Sequence, residues 1–515
     1  MKKYLKHLQA DFPASIVVYL VALPLCLGIA LGSTAPLFSG IIAGVVGGLV
    51  VGFLSGSPLS VSGPAAGLTS IVAASIAHLN TYETFLLAVV LAGCLQIILG
   101  FVKAGVIGDY IPNAVIKGML AAIGIILILK QFPHLVGYDK DYLGDESFIQ
   151  QDNENTITEI LKALNFFSAG AILIGILSLL ILILFDSQLI KRNAILRNIP
   201  GPLIVVLMSV CLHEIIKIYV PSFTIDAEKL VSLPIAKNWI EFKMFFQVPN
   251  LKGFSQPAVW TTALTIAVVA SLETLLSIEA IDKLDPNKRV TPTDRELKAQ
   301  GLGNIISGLL GGLPMTSVIV RSSANVNAGA QTKVSAILHG VFLILSVIFI
   351  PRLLNLIPLA SLAAILIYTG YKLAKIPLFV EHYKKGMDQF IPFCVTIISI
   401  LFTDLLIGIG VGIGAAIIFI LRTNFKSSVM LVKDNDQYMI RLRKDVSFLN
   451  KPIIKNKLEK IPENSFLLID ASRTVFIDKD VIDVIKEFNK QSVLKNINVE
   501  FKTNPNNPLH SLLLN

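Results

Sequence analysis

Two charged residues stand in sequence otherwise suited to hydrocarbon. Glu273 lies within Val269-Ala-Ser-Leu-Glu-Thr-Leu-Leu-Ser277, and Arg321 closes Gln300-Gly-Leu-Gly-Asn-Ile-Ile-Ser-Gly-Leu-Leu-Gly-Gly-Leu-Pro-Met-Thr-Ser-Val-Ile-Val-Arg321. An ionisable group inside an apolar run is costly and calls for a function or a partner. The stretch before Arg321 is glycine-rich and breaks at Pro314. In lipid a broken helix is tolerated only where its freed backbone groups line a cavity or a site. A break followed by an arginine therefore points to an anion site near the middle of a membrane. Upstream, Ser57-Pro-Leu-Ser-Val-Ser-Gly-Pro-Ala-Ala-Gly-Leu-Thr69 has the same design: an extended proline-, serine- and glycine-rich piece leading into a short helix, Leu68–Ala77. Two interrupted spans at matching places in two halves indicate a site between inverted repeats. Each short helix would aim its N-terminal N–H groups at the midplane, where an anion accepts them. Tight helix packing also uses glycine, but prolines and serines break helices as well as pack them.

These residues need spans to position them. The 515 residues are 54% hydrophobic and 15% charged, with a mean hydropathy of +0.71, a composition that implies a polytopic membrane protein. Runs long enough to cross a bilayer are Ser15–Leu31, Phe38–Leu54, Thr84–Val102, Ala114–Leu129, Ala169–Phe185, Pro202–Val220, Val259–Ala280, Val334–Ile350, Leu353–Leu373 and Phe390–Leu421. The last is long enough for two passes hinged at Thr403-Asp404, and the broken pieces Val61–Ala77 and Gly301–Gly329 add shorter ones. The expected total is about fourteen. Ser15–Leu31 begins only after Asp11 and Pro13 and reads as a first span rather than a cleaved leader.

Loop charge sets the orientation. Met1–His7, Lys191-Arg192 with Arg197, Lys283–Lys298 and Lys372–Lys385 are basic, whereas Gly137–Glu159 is acidic. The positive-inside rule places both termini and the basic loops in the cytoplasm of a cell whose plasma (inner) membrane holds the protein. The net charge of +9 then reflects loop orientation and requires no nucleic-acid partner. Cys26, Cys94, Cys211 and Cys394 all fall in apolar runs and read as small core residues without disulfide or metal spacing. His78, His134, His213 and His339 are likewise scattered, so no metal site is expected. No nucleophile, base and third group recur together, which argues against an enzyme.

Beyond Leu421 the sequence turns charged and mixed. Tyr438–Lys444, Ser465–Asp470 and Ile497–Lys502 read as strands and Lys479–Lys490 as a helix, giving a small cytoplasmic α/β domain. The division expected is residues 1–425 for the membrane part and 426–515 for this domain.

Several of these motifs resemble the SulP anion transporter family, whose animal members include pendrin and prestin. The resemblance rests on Gln300–Asn304 with Gly308–Pro314, Val21-Ala-Leu-Pro24, Val61-Ser-Gly-Pro64 and Leu468-Ile-Asp470 with Phe476-Ile-Asp478. The run from Ser271 to Pro286 further resembles bacterial members associated with carbonic anhydrase. The resemblance implies 7+7 inverted-repeat spans divided into core and gate, a C-terminal STAS domain and a homodimer. It also implies that a small inorganic anion sits between the third and tenth spans. Carried over by position, its contacts would be Ser317, Val318, Ile319, Val320 and Arg321 from the tenth, Ala65, Ala66 and Thr69 from the third, and Leu25 from the first. Leu25 replaces a glutamine common among relatives and Val320 a serine, so the pocket should be drier and lean on backbone N–H groups. The second aspartate of the STAS motif, Asp478, is followed by Lys479 and Asp480, without the phosphorylatable serine of regulatory STAS domains. Ser472 and Thr474 then read as turn residues.

The resemblance also gives Glu273 a role. Bicarbonate-transporting relatives hold Na⁺ with an aspartate at this place and a hydroxyl one turn later, which here is Ser277. A glutamate can hold Na⁺ or titrate; it can also be a neutral acid bonded to a carbonyl, or pair with Arg321. The expected function is cation-coupled transport of bicarbonate or sulfate, with Na⁺ and H⁺ both open. An H⁺-coupled carboxylate carrier, an uncoupled channel or exchanger, and a membrane sensor are the alternatives.

Overall fold

The computed structural model describes residues 7–138, 155–188, 190, 199–233, 235, 238–443, 445–474 and 476–503. Most of the acidic Gly137–Glu159 loop, nearly all of the Met1–His7 leader, and Lys191, Arg192 and Arg197 lie outside the described residues. The chain divides into two compact units, residues 1–413 and 414–515.

The first unit opens with α1 (Leu8–Gly32) and α2 (Leu37–Leu54), the second carrying a π turn over Gly47–Val51. Strand β1 (Ser62–Pro64) and α3 (Thr69–Leu79) follow, then α4 (Tyr82–Phe101), α5 (Asn113–Val136), α6 (Ala169–Asp186) and α7 (Gly201–Tyr219). The order then repeats: α8 (Pro257–Leu284), α9 (Thr293–Leu310), β2 (Met315–Ser317), α10 (Ile319–Asn327) and α11 (Val334–Phe349). After these come α12 (Leu359–Leu373), α13 (Ile376–Lys384), α14 (Met387–Phe402) and α15 (Leu405–Ser428), the last running past the unit boundary at residue 413. At both places two helices lead into a three-residue strand and a short helix. Among the described residues eight helical segments are long and apolar enough to cross a membrane, and four shorter apolar helices add to them.

Several expectations need adjustment. The run from Leu353 to Leu373 is not one helix: Pro358 stands at the N-cap of α12, and Pro351–Leu354 forms a separate turn. A proline disfavours helical geometry in the residue before it, which divides the run. The basic segment Lys372–Lys385 is largely helical, as α13. Only Cys26 of the four cysteines is buried; Cys94 and Cys211 are exposed and Cys394 is intermediate. Hydropathy does not separate these cases, because lipid accepts an apolar side chain as readily as a helix neighbour does. The hinge at Thr403-Asp404 is present, and Asp404 accepts a hydrogen bond from the Ile407 N–H at 2.8 Å as the cap of α15.

Close helix packing fixes the frame around the broken segments. A Cβ on Gly93 of α4 would lie 2.5 Å from the Gly301 carbonyl oxygen of α9, and one on Gly301 would lie 2.6 Å from that of Gly93. Such contact of backbones is how helices associate where lipid removes the hydrophobic drive. Asp11 anchors the start of α11, accepting from the N–H groups of Gln331 (2.7 Å) and Thr332 (3.0 Å) and from the Thr332 hydroxyl.

In the second unit, β3 (Val429–Asp434), β4 (Gln437–Arg443), β5 (Phe466–Arg473) and β6 (Asn498–Lys502) form one sheet in that order. β3 runs antiparallel to β4, and the other pairings are parallel. Helices α16 (Lys451–Glu459) and α17 (Lys479–Ser492) cover it, burying Ile454, Leu458, Val481, Ile482 and Ile485 against Ile440, Leu467 and Ile469. The three expected strands and the helix are present; β3 and α16 are additions.

Candidate functional site

The crossing begins with a two-stranded antiparallel pairing of β1 with β2, matching Ser62 to Ser317, Gly63 to Thr316 and Pro64 to Met315. Side chains of α9 hold it. Asn304 Nδ2 donates to the Met315 carbonyl (3.1 Å) and Asn304 Oδ1 accepts from the Met315 N–H (2.7 Å). Gln300 Nε2 donates to Ser62 Oγ at 2.6 Å, and Ser307 Oγ donates to the Leu313 carbonyl at 2.7 Å. The Gln300–Asn304 motif thus builds the crossing rather than lining the cavity beside it.

That cavity has a volume of about 40 Å³. Its lining includes Leu25 and Ile29 of α1, Pro64, Ala66, Ile123 of α5, Glu273 and Ser277 of α8, Val318 through Arg321, and Leu405 of α15. Of the residues expected at the site, Leu25, Ala66, Glu273, Ser277, Val318, Ile319, Val320 and Arg321 meet there. Ala65, Thr69 and Ser317 are buried close by in sequence but stand back from the wall. Ser317 Oγ shares a 2.5 Å hydrogen bond with Ser60 Oγ, and its N–H donates to Thr274 Oγ1 at 3.3 Å. Its polar groups are spent on the crossing.

Helix α10 opens at Val318 without a side-chain cap, so its first N–H groups have no intrahelical acceptor. Those of Ile319, Val320 and Arg321 belong to the cavity's own residues. The Arg321 side chain is 1% exposed; the buried Cys26 thiol is its neighbour, and neither Nη1 nor Nη2 has an oxygen or nitrogen acceptor among the described residues. A Cβ on Gly63 would lie 2.1 Å from Nη1, so any side chain there would displace the guanidinium from its present place. The Glu273 carboxylate packs on Gly67, where a Cβ would lie 3.2 Å from Oε1 and 3.3 Å from Oε2. Guanidinium and carboxylate therefore rest on separate glycines of one broken segment. The other wall residues are mostly apolar, which raises the weight of each charge.

Ile29, Pro64, Ile123 and Leu405 line the cavity, and Gly63 and Gly67 support its charges, without having been expected there. Ile29 lies one helical turn beyond Leu25, a spacing that signals a shared face. Ile123 and Leu405 carry no such signal, since nothing separates them from other apolar residues of their runs.

The chain matches the model of the sulfate permease family over residues 8–399. It belongs to that family. A relative from Bacillus subtilis, described as the putative sulfate transporter YvdB, is 27% identical over 420 residues, spanning 81% of this chain and 74% of the relative. The bicarbonate transporter BicA of Picosynechococcus is 24% identical over 448 residues, spanning 84% and 74%. Among solved structures, that of SLC26A9 superposes with a TM-score of 0.67 at 16% identity, covering 97% of this chain and 84% of the other. The transmembrane domain of a cyanobacterial BicA superposes with a TM-score of 0.54 at 21% identity, covering 80% and 98%. The chain is thus a multi-pass integral membrane protein with the helical fold of these transporters.

Several other charged residues of this sulfate permease family member have local tasks. Glu279 pairs with Lys283 at 2.8 Å. Asp282 accepts from the Thr291 N–H (2.6 Å) and hydroxyl (2.7 Å), closing the loop after α8. In the second unit Asp478 caps α17, accepting from the Asp480 N–H at 3.0 Å. Burial works to raise the Asp470 carboxyl, but hydrogen bonds from Ser472 and Arg441 outweigh it and hold the group below the usual carboxylate range. Thr474 donates to the Ala471 carbonyl at 2.7 Å, a turn contact.

Proposed function

We propose that this protein is a secondary active transporter of a small inorganic oxyanion, bicarbonate or sulfate, coupled to a cation. The observation that carries the reading is the cavity bounded together by the uncapped start of α10, Arg321 and Glu273. The helix start and the guanidinium favour an anion in a nearly dry site. A volume of about 40 Å³ accommodates roughly three water-sized groups, which suits a four- or five-atom oxyanion better than a larger carboxylate. Glu273 and Ser277, one turn apart on α8, supply oxygen atoms for Na⁺, or Glu273 carries a proton.

Transport then proceeds by alternating access over about fourteen passes. Ile123 of α5 and Leu405 of α15 complete the wall, and on this reading displacement of those two helices relative to α10 opens the cavity. We place the protein in the plasma membrane as a homodimer with both termini in the cytoplasm. A monomeric mass in native lipid would overturn the dimer.

The test is flux into proteoliposomes with several anions, each with and without Na⁺ and pH gradients. Concentrative uptake of bicarbonate or sulfate driven by one gradient is expected. Flux that merely equilibrates, whatever the cation gradient, would remove coupling and leave an exchanger or channel.

A further inference from the structure

A second cavity, of about 320 Å³, lies on the side of the first unit that carries the Lys283–Lys298 loop, and shares no lining residue with the transport cavity. Ser55, Ser57, Arg289, Arg295, Thr332 and Lys333 border it. Its charges are unevenly matched. Arg289 is committed to Asp285, with Nε 2.7 Å and Nη2 3.2 Å from the carboxylate oxygens. Glu296 accepts from Ser55 Oγ (2.5 Å) and Gln300 Nε2 (3.0 Å), and Asp11 is held by Gln331 and Thr332.

Arg295 and Lys333 make no ion pair among the described residues. Arg295 Nε donates to the Leu54 carbonyl at 2.9 Å, and Lys333 Nζ donates to the Phe53 carbonyl at 2.6 Å. Burial, then the neighbouring Arg295 charge, lower the Lys333 ammonium from its ordinary value, with Glu296 opposing. Lys333 Nζ also reaches the Ser55 carbonyl at 3.5 Å. Two like charges are thus drawn to one helix end by neutral acceptors, leaving Arg295 Nη1 and Nη2 and one ammonium proton of Lys333 to a ligand. Such a pair is stabilised by an anion that accepts from both. Phe53 and Leu54, at the same helix end, are 62% and 40% exposed, which sets the cavity beside the apolar surface of the span.

We propose that this cavity binds a phosphate group, through Arg295 and Lys333, at a site separate from the transported anion. The phosphate belongs either to an acidic phospholipid at the membrane surface or to a soluble ion. Occupancy would join the end of α2, the first turn of α9 and the start of α11 through one ligand, stiffening that face of the core. Basic pockets beside spans recognise headgroups in this way.

The test uses full-length protein purified in detergent and stripped of lipid. It is titrated with inorganic phosphate, with short-chain phosphatidylglycerol and with short-chain phosphatidylcholine, following bound mass and thermal unfolding. Binding of phosphatidylglycerol but not phosphatidylcholine identifies a lipid headgroup; binding of inorganic phosphate at similar concentration identifies a soluble ion. Either should weaken by about tenfold or more in the Arg295→Gln, Lys333→Gln double variant, the scale of a lost charge-assisted hydrogen bond. Arg295 is exposed, so Arg295→Gln alone serves if the double variant does not fold. Arg321→Ala should leave this binding intact. Equal binding of phosphatidylcholine, no binding of any ligand, unchanged affinity in the variants, or loss with Arg321→Ala would each overturn the proposal.

Discussion

Ser322 and Asn325 tie α10 to the chain that precedes β1: Ser322 Oγ accepts from the Val61 N–H at 2.9 Å, and Asn325 Nδ2 donates to the Leu59 carbonyl at 2.9 Å. Every residue of α10 from Ile319 to Asn325 is buried. Its counterpart α3 buries only Thr69, Val72 and Leu79, and the Thr69 hydroxyl has no partner among the described residues. The two broken segments share an order of elements yet differ in attachment. Buried polar groups demand partners, so the polar side chains that accompany Arg321 also fasten its helix. Helix α3 has few such groups and packs against α1, α4 and α8. One half of the repeat presents a fixed charge; the other presents backbone and glycines against which both charged side chains rest.

The largest effect that tests this contrast comes from Arg321. Arg321→Ala should reduce anion affinity by about 100-fold, the scale seen when one partner of a desolvated charge contact is removed, with the protein still monodisperse in detergent. Unchanged affinity in the purified variant would reduce Arg321 to a packing role and erase the functional difference between the halves.

Glu273→Gln keeps shape and hydrogen-bonding capacity but removes the charge that packs on Gly67. Gradient-driven accumulation should collapse while anion-for-anion exchange survives in part. Anion affinity at saturating cation should fall by about 5–150-fold, because coupling between two ligands is reciprocal. Persistence of concentrative uptake with its gradient dependence intact would exclude Glu273 as the coupling group.

The smallest effects compare attachment directly. Asn304→Ala removes both hydrogen bonds to Met315 and should lower stability by about 1–3 kcal/mol. Thr69→Val replaces an unpartnered buried hydroxyl with a methyl and should stay within about 0.5 kcal/mol of the parent. Thermal unfolding of both variants in one detergent checks the difference; equal losses would mean that the two segments are held alike.

Much of this arrangement is legible in the amino-acid order. Pro64 and Pro314, with the glycines around them, mark both breaks, and long apolar runs mark most helices to within a few residues. Glu273 and Arg321 are conspicuous because charge in an apolar run is rare. The helix division at Pro358 was missed because hydropathy continues across it, and β3 because Val429–Asp434 is too short and mixed to show a period. The site's apolar wall was the least legible part: Ile123 and Leu405 resemble their neighbours in every respect but position.

Sequence alone determined that the chain must lie in a membrane, that two of its spans break, and that one carboxylate and one guanidinium remain inside. Composition, proline placement and the cost of buried charge suffice for that. Only the tertiary structure decided that Ser317 and Thr69 stand back while Pro64 and Leu405 line the cavity, and that the two charges rest on Gly63 and Gly67. Those outcomes depend on β1–β2 register and on which faces of α1, α5, α8 and α15 converge. They arise between segments hundreds of residues apart, where local periodicity carries no information.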